Sequence, residues 1–126
     1  MARTAITITE SSAYLAGDDP TATAGDSAND HSISLGKVPL CLMCVNSNAA
    51  TVAFTIELPA VNRTWNETVS ISHTIPAATA GVDGVRTIWI DVPGGIAQSG
   101  NVLHIDSADA NFGDVRFYCV APRATR

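Results

Sequence analysis

The sequence predicts an all-β protein, a single-domain β-sandwich or jelly roll of about eight short, mainly antiparallel strands. Thr, Ser, Val, Ile and Ala fill the chain, and Gly, Pro, Asn and Asp recur between short apolar runs. The Lys and Glu residues that dominate helix surfaces are few. The 126 residues suit one domain. We expect an N-terminal strand and polar arm over 1–30, a core over 31–121 and a flexible tail over 122–126.

The predicted strands follow from alternating or continuous apolar runs bounded by turn residues. The first, residues 3–9, precedes a polar segment, residues 17–30, whose small apolar content indicates a loop or an ordered arm. The later strands are predicted at 31–35, 38–46, 50–58, 69–75, 85–92, 102–106 and 114–121. Apolar residues at every second position make 50–58 typical of a half-buried antiparallel strand.

Two cysteines in the apolar run 40–45 raise the question of a redox or metal site. Cys41 and Cys44 are three apart, and residues three apart on a strand point to opposite faces. Cys119 stands alone, so the sequence lacks the second C-x-x-C pair of a zinc site. We therefore predict buried free thiols, with a bridge from Cys119 to Cys41 or Cys44 as the alternative. The run itself predicts a strand covered on both faces, inside the sandwich or at a subunit contact.

The two tryptophans have different settings. Trp89 lies on the face opposite Ile88 and Ile90, which predicts a second covered face of its strand or a subunit contact. Trp65 lies in a polar loop, where it either plugs the end of the sandwich or is exposed for a partner.

Charge and apolar patterning exclude several partner classes. The net charge is −5, and among the basic residues only Arg123 and Arg126 are close in sequence, so we expect no nucleic-acid binding. The longest apolar run, residues 40–45, is far shorter than the roughly 20 residues of a membrane helix, so we expect no membrane span. The alternating N-terminus predicts no secretory signal.

Catalytic and metal-binding motifs are missing from the sequence. His31, His73 and His104 are far apart, and no nucleophile elbow, zincin motif or phosphate loop accompanies them. The acidic segment 106–114 lacks the spacing of an EF-hand loop, so solvated turn residues are the favoured interpretation. We expect no enzyme activity, no catalytic residues, no metal and no cofactor.

Several stretches together carry a family resemblance. They are M-A-R-T-A-I-T-I-T, the polar T-A-T-A-G-D-S-A-N-D-H-S, an apolar strand ending in V-N-S-N-A-A, its partner T-V-A-F-T-I, and I-P-A-A-T-A-G. In this order they resemble short all-β structural proteins of tailed bacteriophages, the capsid decoration (cement) proteins and other head-associated proteins. The chain departs from that pattern in its P-A-A-T-A-G-V-D-G turn, usually a glycine-rich P-A-G-G, and in its two strand cysteines.

The resemblance implies a virion protein that binds the outside of an assembled capsid and reinforces it, often as a trimer. Its partner would be the lattice of the major capsid protein, and it would be made in the host cytoplasm. The docking pieces would be the N-terminal segment 1–9, the arm 17–30 and the tail 122–126; the alternative is that these are frayed ends and a mobile loop. The partner-binding candidates are Ala2, Arg3, Thr4, Ile6, Tyr14, Asp18, Asp19, Trp65 and Arg123.

Two other functions stay open at the level of the sequence. A carbohydrate- or receptor-binding β-sandwich of a virion or adhesin would need an exposed aromatic platform, for which Tyr14 and Trp65 are candidates. A small hydrolase on a sandwich scaffold would need a histidine to converge with Ser and Asp side chains.

Overall fold

The computed structural model describes residues 2–10, 20–35, 39–58, 69–91 and 102–121. Two mixed β-sheets of five strands pack against each other, which confirms the predicted all-β sandwich. The strands in chain order are β1 (Thr4–Ala5), β2 (Ile8–Glu10), β3 (Ala22–Ala24), β4 (His31–Ser34), β5 (Leu40–Asn46), β6 (Val52–Leu58), β7 (Val69–Ile75), β8 (Gly84–Ile90), β9 (Val102–Asp106) and β10 (Val115–Ala121). A short 3-10 turn, Phe112–Asp114, precedes β10.

The two sheets have different strand orders. Sheet 1 has the order β1-β4-β9-β6-β7, and sheet 2 has the order β2-β10-β5-β8, with β3 also paired to β10. The pairs β1–β4 and β2–β10 are parallel. The remaining strand pairs are antiparallel, as the sequence predicts. One edge of sheet 1 is β7, and one edge of sheet 2 is β8.

Most predicted strands match the observed ones to within two residues, and β7 and β9 have the predicted bounds. The predicted first strand differs, because residues 3–9 form two strands, one in each sheet. In the polar segment predicted as a loop or an ordered arm, of which residues 20–30 are described, Ala22–Ala24 forms a short strand on β10 that was not predicted. Both differences depend on pairing with distant strands, and local alternation carries no signal for it.

The N-terminal strap, residues 3–10, ties the two sheets together. Between β1 and β2 the Ile6 side chain enters the core and is 4% exposed. The Ile6 N–H donates to the Ser32 carbonyl oxygen at 2.9 Å, and the Thr4 N–H donates to the Asp30 carbonyl oxygen at 3.1 Å. The strap is therefore part of the folded sandwich.

The core contains an aromatic cluster between the sheets. His31 is fully buried, and its ring meets Phe112 and Phe117 edge-on at centroid distances of 5.7 and 5.2 Å. Phe54 from sheet 1 meets Phe117 of sheet 2 in the same geometry at 6.1 Å. Edge-to-face pairs of this kind contribute about 0.5–1.5 kcal/mol each beyond their buried area.

The strand β5 alternates between buried and partly exposed residues along its whole length. Its inward side chains include Leu42 and Cys44, which are fully buried. At its end, Asn46 donates from Nδ2 to the carbonyl oxygens of Ala50 and Pro76 at 2.8 and 3.0 Å. Since its Oδ1 also accepts the Asn48 N–H, this buried amide fixes the turn between β5 and β6.

Removing the Ile6 side chain tests whether the strap is structural. Ile6→Ala should lower the free energy of unfolding by about 2–4 kcal/mol, because it deletes buried methyl groups and leaves a cavity. Urea denaturation measures the change. Thr7→Ala is the matched control and should stay within about 0.5 kcal/mol of the parent, because the Thr7 side chain is exposed. An Ile6→Ala protein as stable as the control would contradict a structural strap.

Candidate functional site

The outward face of sheet 1 is polar. Cross-strand pairing places Asp106, Thr55 and Ser72 in one row and His104, Glu57 and Ser70 in the next. Ser32 extends the second row across β4. Side chains of this kind suit a face in contact with water.

The outward face of sheet 2 is apolar. Leu42 and Cys44 of β5 point into the core, so Cys41, Met43 and Val45 point outward. The pairing places Met43 beside Thr87 of β8 and Tyr118 of β10. We call the outward residues of these three strands the apolar face: Cys41, Met43, Val45, Val85, Thr87, Trp89, Arg116, Tyr118 and Val120.

The most exposed part of the apolar face lies on β8. Trp89 is 70% exposed and Val85 is 46% exposed. Trp89 lies directly opposite Cys41, on the face away from the buried Ile90. The prediction that Trp89 faces away from Ile88 and Ile90 is therefore confirmed, whereas the predicted cover is not found, because no described segment lies over its ring.

The charge of the apolar face differs from that of the chain. The chain has a net charge of −5, yet the residues of the apolar face include no Asp or Glu. Its charged member is Arg116, at the end near Val45. A negatively charged partner surface would therefore meet no like charge on these strands.

A groove of about 610 Å³ runs over β6, β7 and the turn after β9. His73 in this groove stacks on Phe54 at a centroid distance of 5.5 Å. The Arg86 Nε–H donates to His73 Nδ1 at 3.2 Å, so β8 is linked to β7 at the edge of the sandwich. Burial and the Arg86 charge lower the pKa of His73, which keeps the ring neutral as a hydrogen-bond acceptor.

Among the described residues, the three histidines do not complete the arrangement that a hydrolase requires. Ser72 and His73 are adjacent in β7 and point to opposite faces. Ser32, His104 and Glu57 share one row, but no hydrogen bond between their side chains is found in the described part of the chain.

His31 is the centre of a buried polar network that holds the strap. Its Nε2 accepts the Asp26 N–H at 2.8 Å, and its Nδ1 lies 3.1 Å from the Thr4 carbonyl oxygen. The first contact requires a free Nε2 lone pair, so the proton is on Nδ1 and is donated to Thr4. Burial lowers the pKa of His31, against the opposing influence of the Thr4 bond and the Asp26 and Asp30 charges.

The Asp26 carboxylate organises the turn beside His31. It accepts the N–H groups of Ala28 and Asn29 at 3.0 and 3.1 Å. It also accepts the Thr4 hydroxyl at 2.6 Å and the Asn29 amide at 3.1 Å. The bonds from Thr4 and Asn29 favour the ionised form and lower the pKa of Asp26 to about 2.

The cysteines are free thiols. Cys44 and Cys119 are fully buried on the inward face of sheet 2, whereas Cys41 is partly exposed on the apolar face. The prediction that Cys41 and Cys44 face opposite ways is confirmed, and the prediction of burial is wrong for Cys41. Burial raises the pKa of Cys44 to about 12 and that of Cys119 to about 11.

The acidic turn 106–114 uses its carboxylates for structure. Asp106 forms an ion pair with Arg3. Asp109 accepts the N–H groups of Asn111 and Ala53 at 2.9 and 3.3 Å. Asp114 accepts the side-chain amide of Asn48 at 2.7 Å. Among the described residues, no group of three or more His, Cys, Asp or Glu side chains is arranged to hold a metal ion.

The predicted partner-binding residues are divided by the structure. Ala2 is exposed, while Arg3 and Thr4 are partly buried in contacts with Asp106 and Asp26. The Ile6 side chain lies in the core, where a partner cannot reach it. Tyr14, Asp18, Asp19, Trp65 and Arg123 lie outside the described residues.

Sequence reasoning did not select Met43 and Tyr118 as site residues. Met43 lies beside Thr87 of β8, and Tyr118 lies beside Met43, at the middle of the apolar face. The run of apolar residues in β5 predicts that both faces of this strand are apolar. It does not identify the strands that lie beside β5.

Comparisons with known proteins give no match for this chain: no family model, no curated protein and no solved structure is similar to it. A search of the described residues found no helix with the length and apolar character needed to cross a membrane.

Acid should destabilise the fold through His31. The folded pKa lies below the ordinary value of 6.5, so the unfolded chain takes up a proton more readily. The free energy of unfolding should therefore be fully maintained above pH 6.5 and fall as the pH drops below it. Urea denaturation from pH 8 to pH 5 measures this slope.

The His31→Leu variant separates this contribution from general acid effects. At pH 8 it should be less stable by about 1–3 kcal/mol, because the Asp26 N–H loses its acceptor. Below pH 6.5 its stability should change less steeply than that of the parent protein. A slope equal to that of the parent would show that His31 does not carry the effect.

Thiol labelling should distinguish the two faces of sheet 2. In the native protein iodoacetamide should modify Cys41, while the buried, high-pKa thiols of Cys44 and Cys119 should react only after unfolding. Peptide mass spectrometry identifies the modified residue. Native labelling of Cys44 before Cys41 would contradict the observed orientation of β5.

Proposed function

We propose that this chain is a non-enzymatic structural protein of a bacteriophage virion, one that binds the outer surface of an assembled capsid and stabilises it. Its partner in this proposal is the lattice of the major capsid protein, and its place is the capsid exterior after synthesis in the host cytoplasm. The proposal joins the sequence resemblance to head-associated phage proteins with a surface suited to protein binding.

The apolar face of sheet 2 carries the proposal. Met43, Trp89 and Tyr118 belong to residue types enriched in protein interfaces. Trp89 is 70% exposed at one side of this face, which is a costly position for a large apolar ring unless a partner covers it. The lack of carboxylates on these strands also favours a protein partner in a chain with a net charge of −5.

The outward face of sheet 1 is suited to face water when the protein is attached through sheet 2. Sheet 1 presents Ser, Thr, Asp, Glu and His side chains outward on its paired strands. A protein attached through sheet 2 would keep this polar face in water. The two faces therefore have the chemistry needed for attachment in one orientation.

Part of the N-terminal strap is exposed, and the rest belongs to the fold. Ala2 and Thr7 are exposed and available to the capsid, whereas Ile6 and the hydrogen bonds around it belong to the fold. Deleting residues 1–9 would therefore disturb the sandwich as well as any docking contact. Point substitutions on the apolar face give a cleaner test of attachment.

Co-sedimentation with capsid shells tests the proposal, using shells of the phage whose genome encodes the chain and lacking this protein. The wild-type chain should sediment with the shells. Met43→Lys should weaken binding by about tenfold or more, because it places a charge at the middle of the apolar face. Ser72→Lys, on the exposed outward face of sheet 1, is the control and should bind as the wild type does.

Thermal unfolding of each variant establishes that it is folded before binding is compared. A wild-type chain that stays in the supernatant at every concentration would contradict attachment to the capsid. If Ser72→Lys weakened binding and Met43→Lys did not, attachment would use the other face.

A further inference from the structure

We propose that β8 pairs antiparallel with β8 of a second copy of this chain, about a twofold axis at Thr87. The pairing would join sheet 2 of both copies into one continuous sheet. It concerns the edge of sheet 2, whereas attachment to a capsid concerns its outward face. The two proposals are therefore independent.

The edge strand β8 has a backbone suited to pairing. It is seven residues long, and it pairs with β5 in continuous register from Gly84 to Ile90. Among the described strands, none pairs with its second edge. It contains no Pro, no Lys and no bulge, which are common features that protect a sheet edge from another strand.

One register pairs all seven residues of β8 with those of a second copy. It places Thr87 opposite Thr87 of the second copy at the twofold axis, and Trp89 opposite Val85 of the second copy on both sides of it. Threonine pairs and aromatic–β-branched pairs are among the cross-strand pairs that stabilise antiparallel sheets. The same pairing would bring Trp89 and Val85, which are 70% and 46% exposed, into contact across the two copies.

The charged residue within β8 is already engaged. Arg86 lies on the inward side of β8, at the edge of the sandwich. An inward-pointing charge on an edge strand is one way in which proteins block strand addition. Its Nε–H donates to His73 of β7 in the same chain. In the proposed register Arg86 lies opposite Ile88 of the second copy and diagonally across the axis from the second Arg86. Each guanidinium is bonded to His73 of its own chain.

The edge strand β7 provides an internal comparison. It is also seven residues long and lies at the edge of sheet 1. Its outward residues, Ser70, Ser72 and Thr74, are polar and exposed. Strand pairing at β7 would bring only polar outward side chains together, since Ile71, which is 55% exposed, lies on the other side of that strand. The outward side chains therefore favour β8 as the meeting point.

Charge sets the salt dependence of the proposed pairing. Two copies each carry a net charge of −5 and repel each other at a distance. The outward residues of β8, Val85, Thr87 and Trp89, carry no charge. In the proposed register Asp83 and Asp91, just outside the strand, lie opposite each other across the copies. Salt screens both repulsions, so the dimer should tighten as salt is added.

The dimer would enlarge the apolar surface that the protein presents to a partner. Three strands spaced about 4.8 Å apart and about seven residues long at about 3.3 Å per residue cover about 330 Å². A specific protein interface uses about 800 Å² from each partner. Pairing through β8 places two apolar faces side by side and doubles the apolar area to about 660 Å², which is closer to that value. This consequence, unlike the pairing, rests on the proposed function.

Sedimentation velocity of the purified chain, without capsid shells, tests the pairing between about 1 µM and about 1 mM. The average mass should rise with concentration from 13.1 kDa toward twice that value. Thr87→Lys and Thr87→Glu should each raise the dissociation constant by about tenfold or more, because like charges meet at the twofold axis. A mixture of the two variants should restore dimers, because Lys then faces Glu.

Ser72→Lys is the control at the other edge and should dimerise as the wild type does. Thr87 and Ser72 are both exposed on edge strands, so all variants should fold, and circular dichroism checks this. A wild-type chain that stays monomeric over the whole range would overturn the pairing. So would a mass of three copies, the trimer that the family resemblance implies, or a mixture of the Thr87 variants that fails to restore dimers. The absence of shells keeps these outcomes separate from a failure of capsid binding.

Discussion

The surface chemistry of this protein depends on one constraint: β5 is apolar on both of its faces. The inward face of β5, with Leu42 and Cys44, is fully covered by the rest of the sandwich. Its outward face, with Met43 at the centre, continues into Tyr118 on one side and into β8 on the other. A two-sheet sandwich covers one face of each sheet, so among the described residues the second apolar face of sheet 2 keeps exposed side chains such as Trp89.

The strap and its polar network hold the two sheets at the N-terminal end. The His31 ring joins the strap to the turn at Asp26 through two hydrogen bonds: Nδ1–H donates to the Thr4 carbonyl oxygen, and Nε2 accepts the Asp26 N–H. Because the ring also packs against Phe112 and Phe117, the polar network and the aromatic core depend on the same side chain. The residues that the family resemblance assigns to docking at this end are thus used largely for folding.

Local patterns in the sequence predict the structural features that depend on residues close together in the chain. Alternation located β6, β7 and β9, and the spacing of the cysteines placed Cys41 and Cys44 on opposite faces. The crossing of residues 3–9 between sheets and the pairing of β3 with β10 depend on residues more than 20 positions away, for which local alternation has no signal. For the same reason Trp89 was expected on a second face, while its neighbours on that face, among them Thr87 and Met43, were not identified.

Hydroxyl-radical footprinting of the chain with and without capsid shells tests the central claim most directly, because Met, Trp and Tyr side chains are readily oxidised. The apolar face contains all three types, at Met43, Trp89 and Tyr118. The account predicts that shells reduce oxidation at these residues and leave His104, on the polar face, unchanged. Protection of His104 with continued oxidation of Met43 and Tyr118 would contradict it.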